Sequence, residues 1–240
     1  MEISDQQIRP PLNTYEDLAS RIDHSLLRPE LTQEEVERGC RLAKELNVAC
    51  VIVRPSDVDL AVQWMREGGV VVGSVAGFPH GSSTTASKLY EIQDLVRRGA
   101  KEIDMVINIG KMLSRCFRDV ETELYQAAAL CHQNEVIFKV ILENAYLPED
   151  LKVIACRICS KAGADFVKTS TGFAPSGYRP EDVRLMRKSC HPNVKIKAAG
   201  GIRNLTQAIE AYSFGADRLG MTATTTILAE WKRYLANVRS

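Results

Sequence analysis

The chain has 240 residues, 45% of them hydrophobic and 25% charged, with a formal net charge of +1. That length accommodates one large domain with a sizeable core, or two small ones. The near-neutral balance supplies no global field for nucleic acid or an anionic membrane surface, and no apolar run reaches transmembrane length.

Residues 1–12 are too polar for a signal peptide and read as a loose tail ahead of a single domain over residues 13–240. Seven cysteines, an odd number without framework spacing, point to free thiols in a reducing compartment, the cytoplasm. Cys156-Arg157-Ile158-Cys159 is a lone CxxC inside a helical stretch. With no second Cys/His pair nearby, it reads as packed thiols rather than a zinc or redox site.

In chain order, Tyr15–Ser20 predicts a short lead helix and Arg21–Leu27 a first strand that ends at Pro29. Thr32-Gln33-Glu34-Glu35 is a capping box opening a helix to about Leu46. Ala49–Val53 follows as a strand, and Ser56 can cap a helix to about Glu67, broken by Gly68-Gly69. Val70–Phe78 is a third strand and Thr84–Arg98 a long helix. Glu102–Ile109 is a fourth strand, Arg118–Gln133 a helix and Val136–Leu142 a fifth strand. Pro148–Ala162 is helical, Asp165–Thr171 a sixth strand and Pro180–Lys188 helical again. Val194–Ala198, the helix Thr206–Phe214, the short strand Arg218–Gly220 and the helix Thr224–Asn237 complete the chain.

Eight strands alternating with helices, without a linker-like break, imply right-handed βαβ units and a parallel sheet. Eight units in this length fit a closed (β/α)8 barrel better than an open doubly wound sheet. No GxGxxG follows the first strand, which weakens a dinucleotide-binding reading. In such barrels the chemistry sits at the C-terminal ends of the strands.

The sixth strand carries Lys168 inside Phe166-Val167-Lys168-Thr169-Ser170-Thr171-Gly172. A buried lysine tends to lose its proton, and a neutral amine attacks carbonyl groups. A lysine that snorkels outward fits this segment alone equally well. The neighbouring strands favour the inward position. Asp104, Lys139 and Lys197 sit in the middle of the fourth, fifth and seventh strands. Facing inward, they would bring one carboxylate and three ammoniums together. Lys195 and Glu102, at strand starts, are instead expected in solvent at the lower rim. A second lysine beside Lys168 would depress its pKa further, and a carboxylate could trade protons through water.

The segments Ile22–Pro29, Gly77–Gly81, Glu102–Gly110, Lys139–Glu143, Phe166–Phe173 and Lys197–Arg203 resemble, in order, the deoxyribose-phosphate aldolase family. The resemblance implies a class I aldolase on a TIM barrel, with neither metal nor organic cofactor. Its substrates would be acetaldehyde and a sugar phosphate, and a homodimer is expected. It implies Lys168 as Schiff-base nucleophile, Lys197 as the cation that lowers its pKa and helps shuttle protons, and Asp104 as general acid/base with water. Asp23, Ser25 and Lys139 would be polar or electrostatic neighbours of the substrate. Thr171, Gly172, Gly200, Gly201, Arg203, Gly220 and Thr222 would serve the substrate and its phosphate, which backbone amides and a helix N-terminus suit.

The chain departs from the family pattern after strand eight, where Met221-Thr222-Ala223-Thr224-Thr225 stands in place of a small residue and serines. Thr222 can replace a serine hydroxyl and Ala223 cannot. Near the end of strand two, Ile52 and Arg54 replace a cysteine and an asparagine, and Arg54 reads as an exposed loop residue. Trp64 and Trp231 read as packing, His132 and His191 as surface residues, and His24 and His80 as hydrogen-bonding residues at strand ends. A TIM-barrel isomerase and a non-catalytic scaffold are the competing readings. The Asp104–Lys168–Lys197 trio argues against both, because buried charges without a task only cost stability.

Overall fold

The computed structural model describes residues 10–239; most of the expected tail, residues 1–9, lies outside the described residues. After a capped helix α1 (Tyr15–Ala19), the chain forms β1 (Ile22–Leu26), α2 (Gln33–Glu45), β2 (Cys50–Val53), α3 (Val58–Met65), β3 (Val71–Ala76) and α4 (Thr85–Arg97). It continues through β4 (Glu102–Val106), α5 (Ile109–Leu113), α6 (Phe117–Gln133), β5 (Ile137–Ile141), α7 (Glu149–Ala162) and β6 (Phe166–Lys168). The last elements are α8 (Pro180–Ser189), β7 (Lys195–Ala199), α9 (Leu205–Ser213), β8 (Arg218–Met221) and α10 (Thr224–Arg239). All neighbouring strands pair in parallel, and β8 closes on β1 through Ile22↔Leu219 and Asp23↔Gly220, giving the eight-stranded barrel.

Alternation along each strand sorts side chains to two sides of the sheet. Ile103, Met105, Val140, Val167, Ile196, Ala198 and Leu219 join one large apolar cluster with helix residues such as Val120, Leu124 and Val183. The alternate residues face the barrel axis. On the β2–β3 side they are apolar: Cys50, Ile52 and Val75 pack with Leu27, Val71 and Phe78. Elsewhere the axis is polar and charged. The apolar layer between sheet and helices holds the barrel together, at roughly 25 cal/mol per Å² of buried apolar surface, and lets the interior carry charge.

Several local boundaries differ from the sequence reading; the third strand, for example, ends at Ala76 rather than Phe78. Strand four stops at Val106, and the Asn108 side chain accepts a hydrogen bond from Lys111 N–H, capping the extra helix α5. Strand six ends at Lys168, although Leu142 N–H still donates to the Lys168 carbonyl and Asn144 N–H to the Thr169 carbonyl. Ser56 does not cap α3, which is entered through a helical turn over Pro55–Asp57. The capping box at Thr32 and Glu35 is present, with both reciprocal bonds.

Trp231 is buried and its Nε1–H donates to the Thr14 carbonyl, tying α10 to the start of α1. The Arg41 guanidinium lies 5.2 Å from the centre of the half-buried Trp64 ring. Cys156 and Cys159 are both buried in the apolar layer, as packed thiols.

Candidate active site

Seven charged side chains share the barrel interior: Asp23, Glu102, Asp104, Lys139, Lys168, Lys197 and Arg218. Asp104, on β4, stands at their centre. Its Oδ1 accepts from Lys139 Nζ at 2.9 Å, and its Oδ2 accepts from Lys168 at 2.8 Å and from Lys197 at 2.7 Å. Register explains the meeting: Asp104 pairs across from Lys139, and Lys168 pairs across from Lys197. Asp23 of β1 contacts Lys197, Lys139 (3.3 Å) and Arg218 (2.5 Å).

Burial sets the electrostatics. For Lys168, desolvation lowers the pKa and outweighs the opposing Asp104 carboxylate; Lys197 and Lys139 lower it further, to about 8. Burial alone would raise Asp104, but Lys139, Lys168 and Lys197 together pull it well below the usual carboxylate range. Burial would lower Lys139, yet Asp104, Asp23 and Glu102 hold it well above an ordinary lysine. The lysines of β5 and β6 are thus driven in opposite directions: Lys139 is held as a cation, and Lys168 is shifted toward the neutral amine.

Glu102 corrects the expectation of a solvent position at the lower rim. It is buried and touches Lys139 and Arg218, whereas Lys195 is exposed as expected. Three members were missed by reading the sequence. Glu102 lies two residues before Asp104 and so shares its face, a signal that alternation offers. Arg218 opens strand eight, two residues before Gly220. Glu143 is buried just beyond β5 in a left-handed conformation (φ +53°). Its carboxylate accepts from the Thr171 N–H and hydroxyl, and burial pushes its pKa up against those bonds.

The other expected residues spread along the strand ends. Ser25 is half-buried on the inner face of β1. Thr171 is occupied locally: its hydroxyl donates to Glu143 and accepts from Phe173 N–H at 3.0 Å. Gly200 has φ +89°, and a Cβ on the facing Gly177 would lie 2.1 Å from the Gly200 carbonyl oxygen, so the two backbones meet where no side chain fits. Gly172 and Gly201 are exposed, Gly220 is buried beside Lys197, and Thr222 is exposed just before α10 begins at Thr224. Arg203 is exposed on the loop into α9, with its backbone N–H donating to Gln207, and does not join the charged cluster.

Arg54 is neither a pocket cation nor a free loop residue. It pairs with Asp57 at 2.6 Å and donates to the Arg28 and Pro29 carbonyls, pinning the loop after β1. His24 is buried and hydrogen-bonds Thr224 Oγ1 at 2.8 Å; His80 is exposed on its turn. His132 and His191 are at the surface, His132 against Asp165. Asp23, Cys50 and Glu102 place three donor atoms within 4.8 Å of one another. Both carboxylates already hold ammonium or guanidinium groups, and burial pushes the Cys50 thiol well above its ordinary value, so this donor set suits cations of the protein rather than a metal ion.

A closed (β/α)8 barrel whose interior gathers three buried lysines around Asp104 defines an enzyme of the TIM-barrel class with amine chemistry within reach. Residues 18–223 match the family model described as DeoC/LacD family aldolase, and the chain belongs to that family. The deoxyribose-phosphate aldolase of Caldanaerobacter subterraneus subsp. tengcongensis is 43% identical over 217 residues, covering 90% of this chain and 94% of that one. That of Bacteroides thetaiotaomicron is 40% identical, covering 91% and 92%. Among solved structures, the deoxyribose phosphate aldolase from Aeropyrum pernix, described as tetrameric, superposes with a TM-score of 0.86 at 33% identity, covering 93% of this chain and 94% of that one.

Proposed function

We propose that the protein cleaves 2-deoxy-D-ribose 5-phosphate reversibly to acetaldehyde and D-glyceraldehyde 3-phosphate, through a Schiff base on Lys168. One observation carries the reading. The buried Lys168 amine shares a single Asp104 oxygen with Lys197, at 2.8 and 2.7 Å, in a setting where burial lowers its pKa to about 8.

In the cleavage direction the neutral amine adds to the aldehyde carbon of the open-chain sugar phosphate, and loss of water gives a protonated imine. The bond between the second and third carbons breaks as the third-carbon hydroxyl gives up its proton. The electron pair moves into the imine, leaving an enamine and releasing the phosphorylated aldehyde. Protonation of the enamine carbon and hydrolysis return acetaldehyde and the free amine. Lys197, as ammonium, is the proton donor of this set. Asp104, held well below the usual carboxylate range, stays ionised and accepts hydrogen bonds from Lys168 and Lys197, which orients both amines for proton exchange with water.

Gly172 follows β6, Gly200, Gly201 and Arg203 follow β7, and Gly220 and Thr222 lie at the end of β8, just ahead of α10, whose first amides suit the phosphate. Ser25 offers a hydroxyl on the inner face of β1. One domain over residues 13–240 is supported by the apolar cluster running from Leu18 to Trp231. Seven free cysteines support a reducing setting such as the cytoplasm, and among the described residues no helix is long and apolar enough to cross a membrane. The working assembly is taken as a homodimer, which sedimentation checks.

A second reading keeps the lysine chemistry and relaxes the demand for phosphate. It is favoured by the segment after β8: Ala223 has no hydroxyl, and the Thr224 hydroxyl is engaged by His24. Borohydride reduction in the presence of acetaldehyde, followed by peptide mass mapping, tests the common core of both readings. An adduct on Lys168 is expected; no adduct on any lysine overturns them.

A further inference from the structure

The cluster inside the barrel has an unequal membership. Its carboxylates are Asp23, Glu102 and Asp104; its cations are Lys139, Lys168, Lys197 and Arg218. Asp104 is contacted by three lysines, Asp23 by Lys139, Lys197 and Arg218, and Glu102 by Lys139 and Arg218. Lys168 touches only Asp104, on the oxygen that Lys197 also holds.

Resting on the Schiff-base reading of Lys168, we propose that Arg218 is a positioning residue for that amine: by holding Asp23 and Glu102 from the lower end of the barrel, it completes a set of four cations on three carboxylates and leaves Lys168 with a single contact, on an Asp104 oxygen that Lys197 also holds. With Lys168 neutral, three anions face three cations and the interior carries no net charge. Protonating Lys168 adds an unbalanced charge to a buried site, which low-dielectric surroundings penalise.

The geometry keeps Arg218 in this role. Its guanidinium reaches Asp23 Oδ1 at 2.5 Å and Glu102 at 3.3 and 3.4 Å, and lies 5.6 Å from the centre of the Phe166 ring, at the lower end of the sixth strand. An arginine stays charged at every working pH, so the imbalance is permanent. Arg218 acts through Asp23, Glu102 and Lys139 and not on the reacting atoms. Other titratable groups face the same space. Cys50 of β2 is a buried thiol held neutral; Lys195 of β7 has its Nζ 5.5 Å from the centre of the Phe166 ring but is solvated; Glu143, beyond β5, is hydrogen-bonded to Thr171 and is pushed toward its neutral form by burial, against those bonds and the nearby Lys168 charge. None supplies a fourth carboxylate in contact with the cations.

The test reads the pH midpoint for trapping of acetaldehyde on Lys168 with cyanoborohydride, followed by intact mass. Arg218→Met is expected to raise the midpoint by roughly one pH unit, a tenfold change at fixed pH, and Glu102→Gln to lower it by a similar amount. The double variant Arg218→Met/Glu102→Gln restores equal numbers and should return the midpoint to near the parent value, as should Arg218→Lys. A purely structural role predicts no such reversal of sign. If Arg218→Met does not fold, Glu102→Gln and the double variant still decide. Midpoints that fail to follow the sign of the charge change overturn the inference while leaving the Schiff-base reading intact. Failure of the unmodified protein to form any Lys168 adduct overturns that reading, and this inference with it.

Discussion

Lys168 Nζ lies 2.8 Å from Asp104 Oδ2, and the same oxygen accepts from Lys197 Nζ at 2.7 Å. One carboxylate oxygen thus serves two amines of the barrel interior. Lys197 lies at hand as the cation, while burial lowers Lys168 toward neutrality. Burial, with the neighbouring lysines, therefore separates a nucleophile from its proton donor on adjacent strands.

Lys168→Arg keeps the charge but removes the nucleophile. Activity on deoxyribose 5-phosphate should fall by roughly a thousandfold or more, with the far-ultraviolet spectrum and melting curve retained. Turnover at near-normal rate would remove Lys168 from its assigned role.

The pH dependence follows from the direction of the Lys168 shift. The neutral amine reacts, so the rate of imine formation should rise with pH to a plateau above about 8 and fall about tenfold per unit well below it. Lys197→Met removes a like charge and frees the shared Asp104 oxygen. Both changes favour protonated Lys168, so the midpoint should move to higher pH, and kcat should drop by about a hundredfold through loss of the proton donor. A midpoint that stays put or moves down contradicts the arrangement.

Phosphate preference is open to a single added hydroxyl. Ala223→Ser, immediately before α10, should raise kcat/KM for the phosphorylated sugar by up to about tenfold, the scale of one hydrogen bond to a charged group. The value for unphosphorylated deoxyribose should be unchanged. Equal effects on both substrates would place the phosphate elsewhere.

A second buried ion pair lies away from the axis. Lys88 of α4 is fully buried and donates to Glu123 of α6 and to the Val106 carbonyl, each at 2.8 Å. Lys88→Met leaves Glu123 unpaired and should cost about 3–5 kcal/mol, read from urea unfolding. Lys88→Met/Glu123→Leu should recover most of that loss. If the single and double variants are equally destabilised, packing rather than the stranded carboxylate sets the cost.

The segment Asp104-Met105-Val106 and its counterparts around Lys139, Lys168 and Lys197 show how far a linear pattern reaches. Each charge stands in the middle of an apolar run, and a period of two places it opposite the face that packs on helices. Those faces are the ones the barrel turns inward. The helix α5 was not read from the sequence: Glu102–Ile109 reads as one strand, whereas Asn108 caps a helix that begins at Ile109.

The alternation of strands and helices pointed to a parallel barrel, and the interrupted apolar runs favoured inward positions for Asp104, Lys168 and Lys197; Asp23, which meets them at the axis, was named only through the family resemblance. Strand starts were decided only in three dimensions. Glu102, Lys195 and Arg218 each open a strand, yet Lys195 is exposed while Glu102 is buried and Arg218 is largely enclosed. In a closed barrel the strands tilt and stagger, so the height of a first residue depends on its neighbours' register. Arg218 and Glu102 find each other across 116 residues, a contact that no local pattern contains.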